Sequence, residues 1–98
     1  YSYVASKAGL IGMTGLMAKR LIDDNIIVNG IAPGAFSSNM NISARDDPDR
    51  VASVIPAKRI GRADDIAGTA VYMCSRAGDY LVGTTIAVDG GLVYARTD

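Results

Sequence analysis

The chain has 98 residues, 49% of them hydrophobic and 20% charged, with ten basic and ten acidic side chains and a formal net charge of zero. That is enough for one small domain at most, globular rather than disordered in composition, and it leaves no basic footprint for nucleic acid or an anionic membrane. Cys74 is the only cysteine and histidine is absent, which excludes an intrachain disulfide, the usual metal sites and Ser-His-Asp or Cys-His chemistry within these residues.

The first element is a helix over residues 3–24, with Leu10, Met13, Met17 and Leu21 recurring at steps of three and four as a core-facing stripe. Gly9, Gly12 and Gly15 fall inside it, each costing about 1 kcal/mol relative to Ala, so a close approach to the backbone is expected, most simply helix–helix packing. Tyr3 and Lys7 stand one turn apart on its first face. An ammonium beside a phenol favours the phenolate, which makes a tyrosine usable as a general acid or base near neutral pH. On its own the pair is weak, because such spacings arise by chance on solvated helix faces. The chain begins at Tyr1 rather than Met and reaches this pair within seven residues, where termini fray. We therefore read it as the C-terminal piece of a longer protein.

Residues 26–32, rich in β-branched side chains and apolar on both faces, predict a buried parallel strand that Pro33-Gly34 stops. A polar, irregular loop follows over residues 33–61, with a short helix from about Pro48 to Val54 that Pro48 opens. Lys58, Arg59 and Arg62 read as ordinary surface charge. A second helix spans residues 62–76, with Asp64 and Asp65 in the first turn complementing its dipole. Ala67, Ala70, Val71 and Cys74 form its apolar stripe, which makes Cys74 a core residue. Residues 84–88 predict a second strand, ended by Asp89-Gly90-Gly91. Strand, loop, helix and strand make one right-handed parallel βαβ unit. Two strands are too few for an independent sheet, so partner strands are expected from residues upstream or from another chain.

With the elements in this order, the chain resembles the C-terminal part of a classical short-chain dehydrogenase/reductase. The match rests on Tyr3-Val4-Ala5-Ser6-Lys7-Ala8, Val28-Asn29-Gly30-Ile31-Ala32-Pro33-Gly34, Gly61-Arg62-Ala63-Asp64-Asp65-Ile66-Ala67 and Val88-Asp89-Gly90-Gly91, four motifs in order at the family's separations. The resemblance implies an α/β fold, the C-terminal part of a Rossmann-type doubly wound parallel sheet. It implies an NAD(P)-dependent oxidoreductase interconverting a carbonyl and a secondary alcohol by hydride transfer, with NADP or NAD as cofactor and NADPH the favoured form. Tyr3 is then the proton donor or acceptor, and Lys7 holds the nicotinamide ribose and tunes Tyr3. Pro33 and Gly34 lie against the nicotinamide ring, the Phe36 backbone meets the carboxamide, and Ser38 stands where the family usually has Thr. Residues from about Ser38 to Val54 form a mobile lobe over the substrate. The family also implies a small-molecule carbonyl or alcohol substrate and a homo-oligomer, dimer or tetramer. No apolar run here is long enough to span a membrane and no signal peptide is visible, so a cytoplasmic location is the default.

The Gly-rich dinucleotide loop, the Asn-Ala-Gly motif and the family's catalytic Ser, all normally nearer the N-terminus, are absent from these residues. Ser2 and Ser6 are not equivalents of that Ser. The loop from Pro33 to Met40, with Ile55-Pro56 and Arg59-Ile60-Gly61-Arg62, is similar to the β-ketoacyl reductase-like branch, including rhamnolipid-type reductases; a sugar or polyol dehydrogenase is the alternative within the family. The alternative to an enzyme is a non-catalytic remnant, truncated or proteolysed, that folds only by oligomerising.

Overall fold

A computed structural model describes residues 1–95. In chain order the elements are helix α1 (Ser2–Leu21), strand β1 (Gly30–Pro33), helices α2 (Ile42–Asp46), α3 (Pro48–Ser53) and α4 (Ala63–Cys74), and strand β2 (Thr85–Val88). β1 and β2 form a two-stranded sheet. The Gly30 N–H donates to the Thr84 carbonyl at 2.8 Å and the Gly34 N–H to the Val88 carbonyl at 2.9 Å. Both bonds step along the two strands in the same sense, so the pair is parallel. The arrangement is α/β. The described chain divides into two compact units, one of Tyr1–Ile31 with Val71–Ile86 and one of Ala32–Ala70 with residues 87–95.

In the first unit, α1 ends in a 3-10 turn over Ile22–Asp24, and Asn25 takes the left-handed conformation at φ 63°. The Asn25 N–H donates to the Ile22 carbonyl (2.9 Å) and the Ile26 N–H to the Leu21 carbonyl (3.1 Å), the paired bonds of a Schellman cap with Asn in the place usually held by Gly. Lys19 and Arg20 occupy the last turn, where their charge complements the helix dipole. The expected stripe is not the covered face. Leu10, Met13 and Met17 are 57%, 56% and 43% exposed, whereas Ala18 is buried, and the face that packs runs through Thr14, Gly15, Ala18 and Leu21. A Cβ on Gly83 would lie 3.2 Å from the Ala18 Cβ and 3.7 Å from the Gly15 Cα, so that segment rests on the helix backbone. At Gly9 and Gly12 a Cβ would meet nothing within 4 Å. The same holds at Gly15, where the Gly83 segment comes near the backbone but leaves room for a Cβ, so none of the three glycines is required by packing among the described residues.

The strand predicted over residues 26–32 begins later, at Gly30, and includes Pro33. Ladder bonding starts only there, since the chain leaves the Schellman cap at Ile26 and Val28 is engaged through its carbonyl by the Gly83 N–H (2.9 Å). Asn29 fixes the entry. Its side-chain Nδ2 donates to the Leu81 carbonyl at 2.8 Å, and its Oδ1 accepts the Thr84 N–H at 3.0 Å.

In the second unit, the stretch expected to be irregular before Pro48 contains α2. Asn41 caps it, its Oδ1 accepting the Ala44 N–H at 3.1 Å. α3 starts at Pro48 in the first turn. Among the described residues of this unit, Ala44 and Ile55 are the side chains fully buried, at 0% and 2% exposure. α4 is shorter than the predicted 62–76: it stops at Cys74, and Arg76–Gly78 forms a separate 3-10 turn. Its covered face is also different, formed by Asp65, Ile66, Thr69, Ala70 and Met73. Val71 is 69% exposed and Cys74 is an exposed free thiol rather than a core residue.

Candidate functional site

The predicted site residues fall on both units. In the first, Tyr3 and Lys7 occupy the first two turns of α1, and the Lys7 Nζ stands 5.4 Å from the centroid of the Tyr3 ring. That is within cation–π range and follows from the one-turn spacing, which stacks the two side chains on one helix face. Tyr3 is 66% exposed and Lys7 is exposed. The Ser6 hydroxyl turns inward to the helix, donating to the Tyr3 carbonyl at 2.9 Å. An ammonium and a phenol are thus presented side by side on an exposed helix face.

In the second unit, Pro33 ends β1 and Gly34 is half-buried. The bare side of Gly34 faces the turn after β2. A Cβ there would lie 2.6 Å from the Asp89 Cβ and 2.7 Å from its Cα, closer than real Cβ atoms approach, so packing on this turn is what requires glycine. Phe36 forms a parallel bridge with Gly61, supported by the Gly61 N–H donating to the Ala35 carbonyl at 2.8 Å. The Phe36 ring fills the space a Gly61 side chain would need. The Ser38 hydroxyl accepts the Asn41 N–H at 3.0 Å and so fixes the approach to α2. The loop over 36–61 is thus closed at its base, with α2 and α3 between the pinned ends.

The base carries a charged clasp. Arg59 donates from both terminal nitrogens to the two Asp65 carboxylate oxygens, at 2.8 and 3.1 Å, a bidentate fork. Asp65, third residue of α4, also accepts the Arg62 N–H at 2.7 Å, closing back on the residue before the helix as in one half of a capping box. The Arg59 guanidinium first, and then the Arg62 N–H, hold the Asp65 carboxyl down at about 2. Arg59 is therefore not ordinary surface charge, and the spacing of six residues to Asp65 gave no local signal for the pair. Next to the clasp is a cavity of about 460 Å³ lined by Phe36, Ile55, Arg59, Asp65, Asp89 and Tyr94 among others. Asn29, Ile55, Arg59 and Asp89 are the structural residues that sequence reasoning did not single out. Asn29 and Ile55 act through partners distant in sequence, whereas Arg59 pairs with a residue six positions on and the Asp89 carboxylate accepts N–H groups two and four positions on.

Comparison with known proteins follows the same elements. Residues 1–93 match the family described as enoyl-(acyl carrier protein) reductase. Over 93 residues the chain is 47% identical to 2-dehydro-3-deoxy-D-gluconate 5-dehydrogenase of Escherichia coli K12, covering 92% of this chain and 37% of that protein. It is 42% identical over 92 residues to the 3-oxoacyl-[acyl-carrier-protein] reductase FabG of Staphylococcus epidermidis, covering 93% and 38%. The Pseudomonas aeruginosa RhlG/NADP active-site complex superposes with a TM-score of 0.83 at 38% identity, over 93% of this chain and 38% of that one. The chain thus spans well under half the length of these relatives. Among the described residues no helix is long and apolar enough to cross a membrane. A match along nearly the whole chain, at this identity and with this superposition, shows that the chain belongs to the short-chain dehydrogenase/reductase family, whose Rossmann-type α/β fold it shares.

Proposed function

We propose that the protein containing this chain is an NAD(P)-dependent oxidoreductase that interconverts a carbonyl and a secondary alcohol. The observation that carries this reading is the Lys7 ammonium 5.4 Å from the Tyr3 ring on the first turns of α1, in a chain of this family. When bound, the nicotinamide cofactor supplies or takes up the hydride. Tyr3 donates its phenolic proton to the carbonyl oxygen during reduction and recovers a proton from the alcohol in the reverse direction. Lys7 stabilises the phenolate that remains and holds the ribose hydroxyls. Pro33, Gly34, the Phe36 backbone and the Ser38 hydroxyl would hold the nicotinamide end of the cofactor. Residues 38–54, with α2 and α3, cover the substrate. NADP(H) is the favoured cofactor, a choice supported by the NADP in the RhlG complex. The relatives support two substrate classes, 3-oxoacyl thioesters and deoxy-keto sugar acids. The same reading makes the protein a cytoplasmic homo-oligomer, dimer or tetramer, with the phosphate half of the dinucleotide held outside these 98 residues.

The test uses the full-length protein and the Tyr3→Phe variant. NADPH-dependent reduction of an acetoacetyl thioester and NAD(P)+-dependent oxidation of 2-dehydro-3-deoxy-D-gluconate are measured together with NADPH binding by nicotinamide fluorescence. Turnover is expected to fall by about 10²–10⁴, the usual contribution of a positioned acid or base, with NADPH affinity nearly unchanged. Substantial residual turnover in Tyr3→Phe would refute the role given to Tyr3.

A second reading concerns the 98-residue chain by itself: a non-catalytic remnant that persists by assembling with other chains. It is favoured by the small core, in which Ala18, Ala44 and Ile55 are the fully buried hydrophobic residues among those described. Titration of the isolated chain with NADPH and NADH tests it: tight binding argues against the remnant, and no binding leaves catalysis to the full-length protein alone.

A further inference from the structure

Both arms of the loop over 36–61 stand on one element, the turn Asp89-Gly90-Gly91 that follows β2. On the first arm, Gly34 packs against the Asp89 backbone, and its N–H donates to the Val88 carbonyl at 2.9 Å. On the second arm, the Ala57 N–H donates to the Gly90 carbonyl at 3.0 Å. Ile55, 2% exposed and the largest fully buried side chain among the described residues, lies directly on Gly90. A Cβ on Gly90 would come within 2.7 Å of the Ile55 Cγ2 and 3.2 Å of the Ala57 Cβ, and one on Gly91 within 3.1 Å of the Pro56 Cβ. Both glycines have positive φ, 68° and 101°, so glycine is required here for backbone conformation and for space alike. The turn is itself held. The Asp89 carboxylate accepts the Gly91 N–H at 2.9 Å and the Val93 N–H at 3.2 Å, so its two oxygens lock the backbone on which Ile55 sits.

We infer that Ile55, seated on the Gly90-Gly91 turn, is a positioning residue that sets where the substrate-covering segment 38–54 stands. This rests on the reading of that segment as the substrate cover. The reason is leverage. The Phe36–Gly61 bridge joins the two arms near their roots, but between α3 and that bridge the buried seat on the second arm is Ile55, with the Ala57–Gly90 bond beside it. Truncating Ile55 removes the contact that holds the C-terminal end of α3 to the sheet end while leaving Tyr3, Lys7, Pro33 and Gly34 unaltered. A small displacement of a substrate-positioning segment is costly in reactivity and in substrate affinity, whereas the cofactor is read as held mainly by Tyr3, Lys7, Pro33, Gly34 and Phe36, with Ser38 alone lying in the segment.

The experiment compares the full-length protein with Ile55→Val, Ile55→Ala and Gly90→Ala. Amide hydrogen exchange of segment 38–54 is read in each, alongside NADPH Kd and steady-state kinetics with the acetoacetyl thioester or 2-dehydro-3-deoxy-D-gluconate, whichever is turned over. Exchange of the segment is expected to rise in Ile55→Val and more in Ile55→Ala, by about tenfold in the latter as local opening becomes easier. KM is expected to rise by about tenfold in Ile55→Ala with NADPH Kd within about twofold of the parent, a split that a general loss of folding does not produce. Gly90→Ala, which drives a methyl at Ile55, is expected to raise exchange of the same segment. Unchanged exchange in 38–54, or KM and NADPH Kd rising together, overturns the inference. Should Ile55→Ala fail to fold, Ile55→Val carries the comparison by the same criteria. If the parent turns over neither probe, the two substrate classes fail on that result alone, and the exchange data still decide whether Ile55 positions the segment.

Discussion

Replacing Asn29 tests whether the two strands are stapled by a side chain as much as by the ladder. The Asn29 amide makes two part-buried bonds to the backbone of the other strand's approach, donating to Leu81 and accepting from Thr84. Asn29→Ala removes both, leaving one carbonyl and one N–H to find water at a half-buried site. At about 1 kcal/mol net for each bond the expected loss is about 2 kcal/mol. In a domain of about 150–250 residues this lowers Tm by about 4–8 °C. Asn29→Asp is the sharper variant. It keeps the acceptor for Thr84 but turns the donor into a carboxylate oxygen against the Leu81 carbonyl, now 2.8 Å from the side-chain nitrogen. At neutral pH it is expected to be less stable than Asn29→Ala. The repulsion raises the pKa of the introduced carboxyl in the folded state, so protonation favours the native form. Its stability is therefore highest below the unfolded carboxyl pKa of about 4 and is lost as pH rises through the folded value. Urea unfolding of the full-length protein, followed by far-ultraviolet circular dichroism between pH 4 and 7, reads both effects. An Asn29→Ala variant within about 0.5 kcal/mol of the parent, the range of an ordinary surface substitution, would refute the reasoning, as would an Asn29→Asp variant indistinguishable from it at every pH.

Three further outcomes are expected. Asp65, held near 2 by Arg59 and the Arg62 N–H, has a depressed folded pKa, so its stabilising contribution is present above about 4 and is lost as pH falls toward 2. The gap in urea midpoint between parent and Asp65→Asn should accordingly close over that window, and a gap independent of pH would refute the assignment. The 98-residue chain alone, with Leu16 at 73% and Val71 at 69% exposure, should bind an apolar dye such as ANS and unfold without a sharp transition, because each uncovered large side chain forgoes about 1.5–3 kcal/mol. A cooperative unfolding transition in a dilute, monomeric sample would contradict this. In the full-length protein, Tyr3→Phe should lose turnover and keep NADPH binding, as set out above.

Local chemistry made some elements legible. Pro48 in a first turn, Asn25 after Asp23-Asp24 and the Gly-Gly stop after Val88 each punctuate the chain by fixing or freeing a backbone angle, and such signals need no partner. Other features depend on what covers a surface, and sequence alone is ambiguous there. Leu10, Met13 and Met17 have the periodicity of a buried stripe, yet nothing in the described residues covers them; burial within this chain goes to the small side of α1, at Gly15 and Ala18. On α4 the alternatives Ala67/Val71/Cys74 and Ile66/Ala70/Met73 are equally apolar, and the choice is made by packing. Helix α2 escaped notice because five residues are too few for a periodic signal, and its cap is supplied by Asn41 and the turn by Ser38. Of the candidate site, the Tyr3–Lys7 spacing was readable because a helix converts four residues into one turn. The Arg59–Asp65 clasp and the seat of Ile55 on Gly90 were not, because each joins segments whose meeting is decided by the fold.

The Asn29 staple also bears on how the protein ages. Asn followed by Gly is the dipeptide in which the side-chain amide is most readily lost, through attack of the next backbone nitrogen on the amide carbon to form a succinimide ring. Here that nitrogen is engaged, the Gly30 N–H being bonded to Thr84, and the amide is held at both its oxygen and its nitrogen. The ring closes only in molecules whose strand entry has opened. Because hydrolysis of the ring yields aspartate or its isomer, each opening that proceeds to reaction would leave behind a change of the kind made by Asn29→Asp. Slow chemical damage at this one position is thus tied to the frequency of local unfolding, and once made it makes the next opening easier.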